Sequence, residues 1–218
     1  MSVAILQRMQ ELLAQLYDAP VEHHVEDYLL RDRKHVTQVT GAECNADEQV
    51  VLVDNQDEVS VGVFIDPAVL SRLDHADPWD ALEEDNLQDY CTALEGVSHF
   101  HYLMWNLARH RSVSLLELEL QADVDKYASA FKLITQQCAG AFPTSLHQRL
   151  FDRVDYLPQL SSDDRQRYED ANRYAARFCR SLEERFIRKR QHRPEAWLAE
   201  LRRFFRHGHQ AKLREVTR

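Results

Sequence analysis

Glycine and proline are both scarce in this 218-residue chain, at five and six copies. Both residues punctuate loops and tight turns, so their shortage argues against a turn-rich β fold and for long helices. Five glycines also cannot supply the glycine-rich loop of a dinucleotide or mononucleotide site. No apolar run approaches membrane-spanning length; the longest, such as Val50–Val53 and Val59–Ile65, stop far short of it. Met1–Arg8 lacks the continuous apolar stretch and small-residue cleavage site of a secretory leader. Cys44, Cys91, Cys138 and Cys179 are widely spaced and form no C-x-x-C pair, which argues against a disulfide framework or a cysteine zinc site. The expectation is four buried thiols in a reducing cytoplasm.

What the chain does have is core and charge. It is 44% hydrophobic, enough for a sizeable interior, and rich in the helix formers Glu, Leu, Ala, Arg and Gln. The net charge of −9 is unevenly placed. From Arg185 onward 11 Lys and Arg face 3 Glu, a net +8, so the first 184 residues carry −17. Phosphates would be repelled by that acidic body, so only the tail could bind nucleic acid.

Periodicity supplies the elements. Ile5, Met9, Leu12, Leu13 and Leu16 define an amphipathic helix over Val3–Tyr17, ended by Pro20. Val25, Leu29, Val36 and Val39 predict a helix over Glu26–Thr40, capped by Gly41. Gln49–Asp66 reads as a β-hairpin. Val50–Val53 is a β-branched run, Asp54–Asp57 has turn chemistry, and Val59, Val61, Val63 and Ile65 alternate with Ser60, Gly62 and Phe64. A short helix opens at Pro67, and Leu146–Leu157, Ser161–Arg190 and the stretch from Pro194 read as three more.

The centre of the chain, Asn86–Gln137, reads as two antiparallel helices joined at Arg109–Val113. Glu95, His99, Tyr102 and Asn106 form one stripe on the first. On the second, Leu116, Leu120, Val124, Tyr127, Phe131 and Ile134 form the buried line, widened by Leu115 and Leu118. Glu119 and Asp123 lie one turn apart on that buried section. Glu95, His99, Glu119 and Asp123 could therefore face one another. Carboxylates with an imidazole suit a divalent metal such as Mn, Fe or Zn, or general acid/base work. The four-residue step from Glu95 to His99 departs from the Glu-x-x-His spacing of di-iron helix bundles. The bland alternative is a set of ion pairs with Arg109 or Lys126. Ser114 and Glu117 read as a capping box, which explains Glu117 without chemistry. Ser98 beside His99 is no nucleophile–base pair, because neighbours on a helix diverge. His147 reads as a surface residue, and the His23-His24 and His207-Gly-His209 pairs are too sparse for a closed metal site.

The tail interleaves Arg188, Lys189, Arg190, Arg202, Arg203 and Arg206 with the aromatics Trp197 and Phe205. Such a face fits phosphate, anionic lipid, an acidic protein surface, or the acidic body of this chain or of a second subunit. The expected architecture is α+β but mainly α. It is a bundle-like acidic domain, 1–184, around the central pair with one small hairpin, followed by a basic helical appendage, 185–218, docked on that domain or on a partner. Three functions follow in order. The first is a non-enzymatic interaction or regulatory protein, part of an assembly, acting through a protein partner or self-association. The second is a metal-dependent or acid/base enzyme at the four-residue cluster, with a divalent metal as cofactor. The third is nucleic-acid binding by the C-terminal helix. No membrane span is expected.

Overall fold

The computed structural model describes residues 2–54, 59–140, 143–152, 154, 156, 160–187 and 194–217. These contain nine α-helices and one two-stranded antiparallel sheet, the mainly helical α+β architecture the periodicities predict. In chain order come α1 (Ser2–Tyr17), α2 (Arg33–Thr40), β1 (Glu48–Asp54), β2 (Val59–Ile65), α3 (Pro67–His75) and α4 (Glu84–Leu107). Then follow α5 (Leu115–Gln137), α6 (Leu146–Phe151), α7 (Ser162–Leu182), α8 (Pro194–Arg206) and α9 (His209–Val216). Positions 55–58 of the expected hairpin turn, and the basic run Arg188, Lys189, Arg190, lie outside the described residues.

The helix ends are written in the side chains that answer their free backbone groups. Asp32, Asp66, Ser114 and Ser161 accept from the amides of His35, Ala68, Glu117 and Asp164. Gly41 adopts φ 71°, the left-handed cap open to a residue without Cβ, and donates to Thr37 O. Glu26–Thr40 is not one helix. A 3-10 turn, Val25–Tyr28, comes first, and the Leu30 amide then donates to Val63 O along the edge of β2. That strand-edge bond takes the backbone that a continuous helix would have needed.

α4 and α5 are the axis of the fold. Glu95 meets Lys126, Ser98 meets Asp125 and Tyr102 meets Glu117, so numbers rise on one helix as they fall on the other. α1, α3 and the hairpin pack on α4, and α7 packs on α5. Cover on so many sides puts nearly every α4 residue from Ala93 to Asn106 inside, polar ones included. The hairpin is itself covered on both faces. Val63 and Ile65 join the main core, while Val51 and Phe64 pack with Val36 and Cys44 under α2. The second cover explains why Phe64, on the face opposite Val63 and Ile65, is buried as well.

Residues 194–217 share this core. Phe205 is fully buried, stacked on Tyr17 at 4.3 Å and edge-on to Tyr102 and Trp105 at 5.0 Å. Trp197 is buried against Phe131. The guanidinium of Arg202 donates to Leu16 O and Gln15 O, and that of Arg206 to Asp18 O, so both close the C-terminal end of α1. Arg203 pairs with Glu200 and Glu215. Three further expectations, on burial, need correction. Leu115 is 59% exposed, because it sits at the first turn of α5 before the helix enters the core. Cys138 is exposed at the end of the same helix. His147 is buried, its Nε2 2.8 Å from Ala176 O, because α7 covers α6. Among the described residues no helix is long and apolar enough to cross a membrane.

If α8 is part of the core, its aromatic face must matter more than its charges. Phe205→Ala should cost about 3–5 kcal/mol in urea unfolding, the usual penalty for emptying a large buried aromatic. Arg203→Ala, on the exposed face, should cost less than about 1 kcal/mol. Equal effects would contradict the packing described.

Candidate metal centre

Helical spacing fixes the first four residues. Glu95 and His99 lie one turn apart on α4, and Glu119 and Asp123 one turn apart on α5. The antiparallel seam turns both pairs toward each other. A fifth residue, Glu48, comes from the first position of β1, which lies across α4. Gly96 makes that approach feasible, since a Cβ there would stand 3.0 Å from Glu48 Cγ and 3.3 Å from Ile65 Cγ1. This is the one helix-interior glycine whose missing side chain has a visible use.

His99 is 5% exposed and lies between two carboxylates. Its Nδ1 is 3.4 Å from Glu48 Oε1 and its Nε2 is 3.3 Å from Glu119 Oε2. These are ion-pair distances without hydrogen-bond geometry. His99 Nε2 and Glu48 Oε1 are both buried and have no hydrogen-bond partner among the described residues. One donor atom each from Glu95, His99 and Glu119 lies within 4.8 Å of the others. Asp123 is drawn aside. Its Oδ1 lies 3.1 Å from Lys126 Nζ, and the same ammonium is 2.7 Å from Glu95 Oε2.

The electrostatics follow from burial and proximity. Burial works against a charged imidazole, but Glu119 and Glu48 outweigh it and hold His99 protonated well above its ordinary range. Burial likewise disfavours the Lys126 ammonium, and Glu95 and Asp123 more than restore it. For Glu95 burial opposes ionisation, yet Lys126 and His99 pull its carboxyl below the usual value. Burial wins at Glu48 and Asp123, whose carboxyls are raised. A cavity of about 270 Å³ opens against the cluster, with Gln88, Thr92, Tyr156, Tyr168 and Asn172 among its walls. Two nitrogen- or oxygen-donor classes, a solvent-reachable cavity and unanswered buried atoms are together what a divalent ion needs.

The same helix pair carries a second buried network, and the contrast is instructive. Asp125 is 1% exposed and accepts from Ser98 Oγ and Gln121 Nε2, each at 2.6 Å, and from the Tyr17 hydroxyl. Burial pushes its carboxyl up to about 6. Buried Lys212 of α9 donates to Gln121 Oε1 and lies over the Tyr102 ring, and burial brings its ammonium down to about 7. Asp125 has its donors and Lys212 its acceptor, so this network explains itself as structure. Glu117 belongs beside it. Ser114 does cap α5, but the Glu117 carboxylate accepts from Tyr102 Oη at 2.5 Å rather than completing a capping box. His101, buried and pushed down to about 4, is a neutral core imidazole near Phe205.

Of the four residues expected at the site, the structure gathers Glu95, His99 and Glu119 and turns Asp123 toward Lys126. Sequence reading missed Glu48, because helix periodicity says nothing about a strand crossing the helix. Gly96 between Glu95 and His99 was the available signal. Arg109, the other suggested partner, instead lies 4.0 Å over the Trp105 ring.

The His99 pairing has a pH signature. Unfolded, the imidazole titrates near 6.5. Folded, it titrates well above, so its stabilisation is complete below about pH 6.5 and is lost as pH rises through the folded value. Urea unfolding of chelator-treated protein over about pH 6 to 9 should therefore show a component that falls with pH and disappears in His99→Gln. The difference between the two proteins isolates His99 from Lys212, whose lowered pKa acts in the opposite sense. Identical pH dependence in both would contradict the pairing. Comparison with known proteins finds no family model, no curated sequence and no solved structure that matches this chain, so the functional reading rests on the geometry above.

Proposed function

We propose that the chain is a metal-dependent enzyme, with a divalent ion of the Mn, Fe or Zn class held by Glu95, His99 and Glu119. The supporting observation is His99 Nε2, a fully buried nitrogen that lacks a hydrogen-bond partner beside two carboxylates. Glu48 then takes the outer role, accepting from Nδ1–H and fixing the ring so that Nε2 faces the ion. A carboxylate–imidazole–carboxylate set leaves coordination positions open, as in catalytic rather than structural sites. The ion would polarise a substrate oxygen or lower the pKa of a bound water. The adjoining cavity, about 270 Å³, joins the carboxylates and the amides of Gln88 and Asn172 to apolar walls from Val154, Leu160 and the Tyr156 and Tyr168 rings, which suits a small substrate with both polar and apolar parts.

The basic C-terminal face supports a second reading, docking of an acidic protein partner or nucleic acid. We rank it below the first because Trp197 and Phe205 are buried and Arg202, Arg203 and Arg206 already have acceptors within the chain.

Titration calorimetry on chelator-stripped protein tests the proposal. Mn²⁺ or Zn²⁺ should bind at one site, and the melting temperature should rise, since an ion at 100 times its Kd adds about 2.7 kcal/mol of stability. His99→Ala and Glu119→Gln should each weaken binding at least about tenfold. Absence of both heat and thermal stabilisation would end the proposal.

A further inference from the structure

Lys126 stands where a carboxylate-rich centre would otherwise place another cation. Its Nζ lies 2.7 Å from Glu95 Oε2 and 3.1 Å from Asp123 Oδ1, and its side chain is only 17% exposed. Glu95 is thus shared: it contributes a donor to the Glu95–His99–Glu119 trio while one of its oxygens holds the ammonium. A carboxylate divided between two cations is the arrangement of two-metal sites, where the ions sit roughly 3.5–4 Å apart. We infer that Lys126 is the built-in second cation of this centre, holding it to one divalent ion and occupying the position, between Glu95 and Asp123, that a second ion would take.

Charge supports the inference. Glu48, Glu95, Glu119 and Asp123 all line the cavity or contact the cluster. With one divalent ion and a neutral imidazole, these four carboxylates leave the group at −2; the ammonium brings it to −1. A second divalent ion in place of the ammonium brings it to neutrality, so the vicinity tolerates either. An ammonium is a compact point charge with three donors and no acceptor, which matches two carboxylate oxygens without offering anything to a metal. Asp123 explains itself in the same way. It lies on the cluster's face of α5 yet points at Lys126 rather than His99, as a terminal ligand of the second position would.

The inference rests on the metal reading above, and ion stoichiometry separates the two. Chelator-stripped wild type, Lys126→Ala and Lys126→Gln are titrated with Mn²⁺ by calorimetry, bound metal is counted by elemental analysis after desalting, and circular dichroism verifies folding. Wild type should bind one ion, and each neutral variant two. Lys126→Arg, which keeps the charge, should stay at one. Adding Asp123→Asn to Lys126→Ala should return the count to one, because it removes a ligand particular to the second position. One ion in wild type and in both neutral variants overturns this inference while leaving the metal reading in place. No ion in any of the proteins overturns both. Lys126→Gln guards against misfolding, since it removes the charge but keeps most of the side chain's bulk beside Cys91 and Arg149 in the neighbouring cleft.

Discussion

A helix pair covered on nearly every side must find an internal partner for each polar group it carries. α4 and α5 meet this constraint over much of their seam and leave it unmet at a few atoms, His99 Nε2 among them. Ser98, His99, Glu117, Glu119, Gln121 and Asp125 are all buried there. Neighbouring elements are arranged to answer them. Tyr17 comes from α1, Tyr102 from within α4, Lys212 from α9, and Glu48 from the hairpin. The small sheet, unstable as a hairpin alone, is held by helices on both faces and in return delivers a carboxylate to the seam.

Against that constraint the two networks part company. The one around Asp125 closes on itself with short, well-directed hydrogen bonds. The one around His99 has the right charges at the wrong geometry for hydrogen bonding, and leaves buried atoms without partners. Uncompensated buried polar atoms cost roughly 1–3 kcal/mol each, and such strain concentrates where a protein does chemistry. The cavity on the same side adds access, which the Asp125 network does not share. Unpartnered buried nitrogens occur at His101 as well, so it is their combination with three converging donor residues and a cavity that supports the proposed site.

Much of the architecture was legible beforehand. Apolar spacing gave the helix pair and its antiparallel order, the β-branched run gave the hairpin, and Pro67, Ser114 and Ser161 marked helix starts. Three of the four candidate residues do converge, since i, i+4 positions on facing helices must share a face. What failed has a common cause. Glu48, the burial of His147, the second burial of Phe64 and the fate of Glu117 all depend on tertiary neighbours far away in sequence. Local periodicity carries no information about those. The tail shows the same limit. Its charge left docking on the chain's own body and on a partner both open, and the aromatic stripe at helical spacing proves to be a core face, with Phe205 against Tyr17 and Trp197 against Phe131.

The central claim is that the seam between α4 and α5 holds an ion, and anomalous diffraction tests it most directly. A crystal grown with Mn²⁺ at about neutral pH, with data collected near the metal's absorption edge, should show a peak among Glu95, His99 and Glu119. That peak should lie roughly 2.0–2.2 Å from His99 Nε2 and from an oxygen of each carboxylate. Peaks only elsewhere, with the His99 ring hydrogen-bonded to Glu48 and Glu119 on its two sides, would contradict the account and leave the cluster a purely structural ion-pair network.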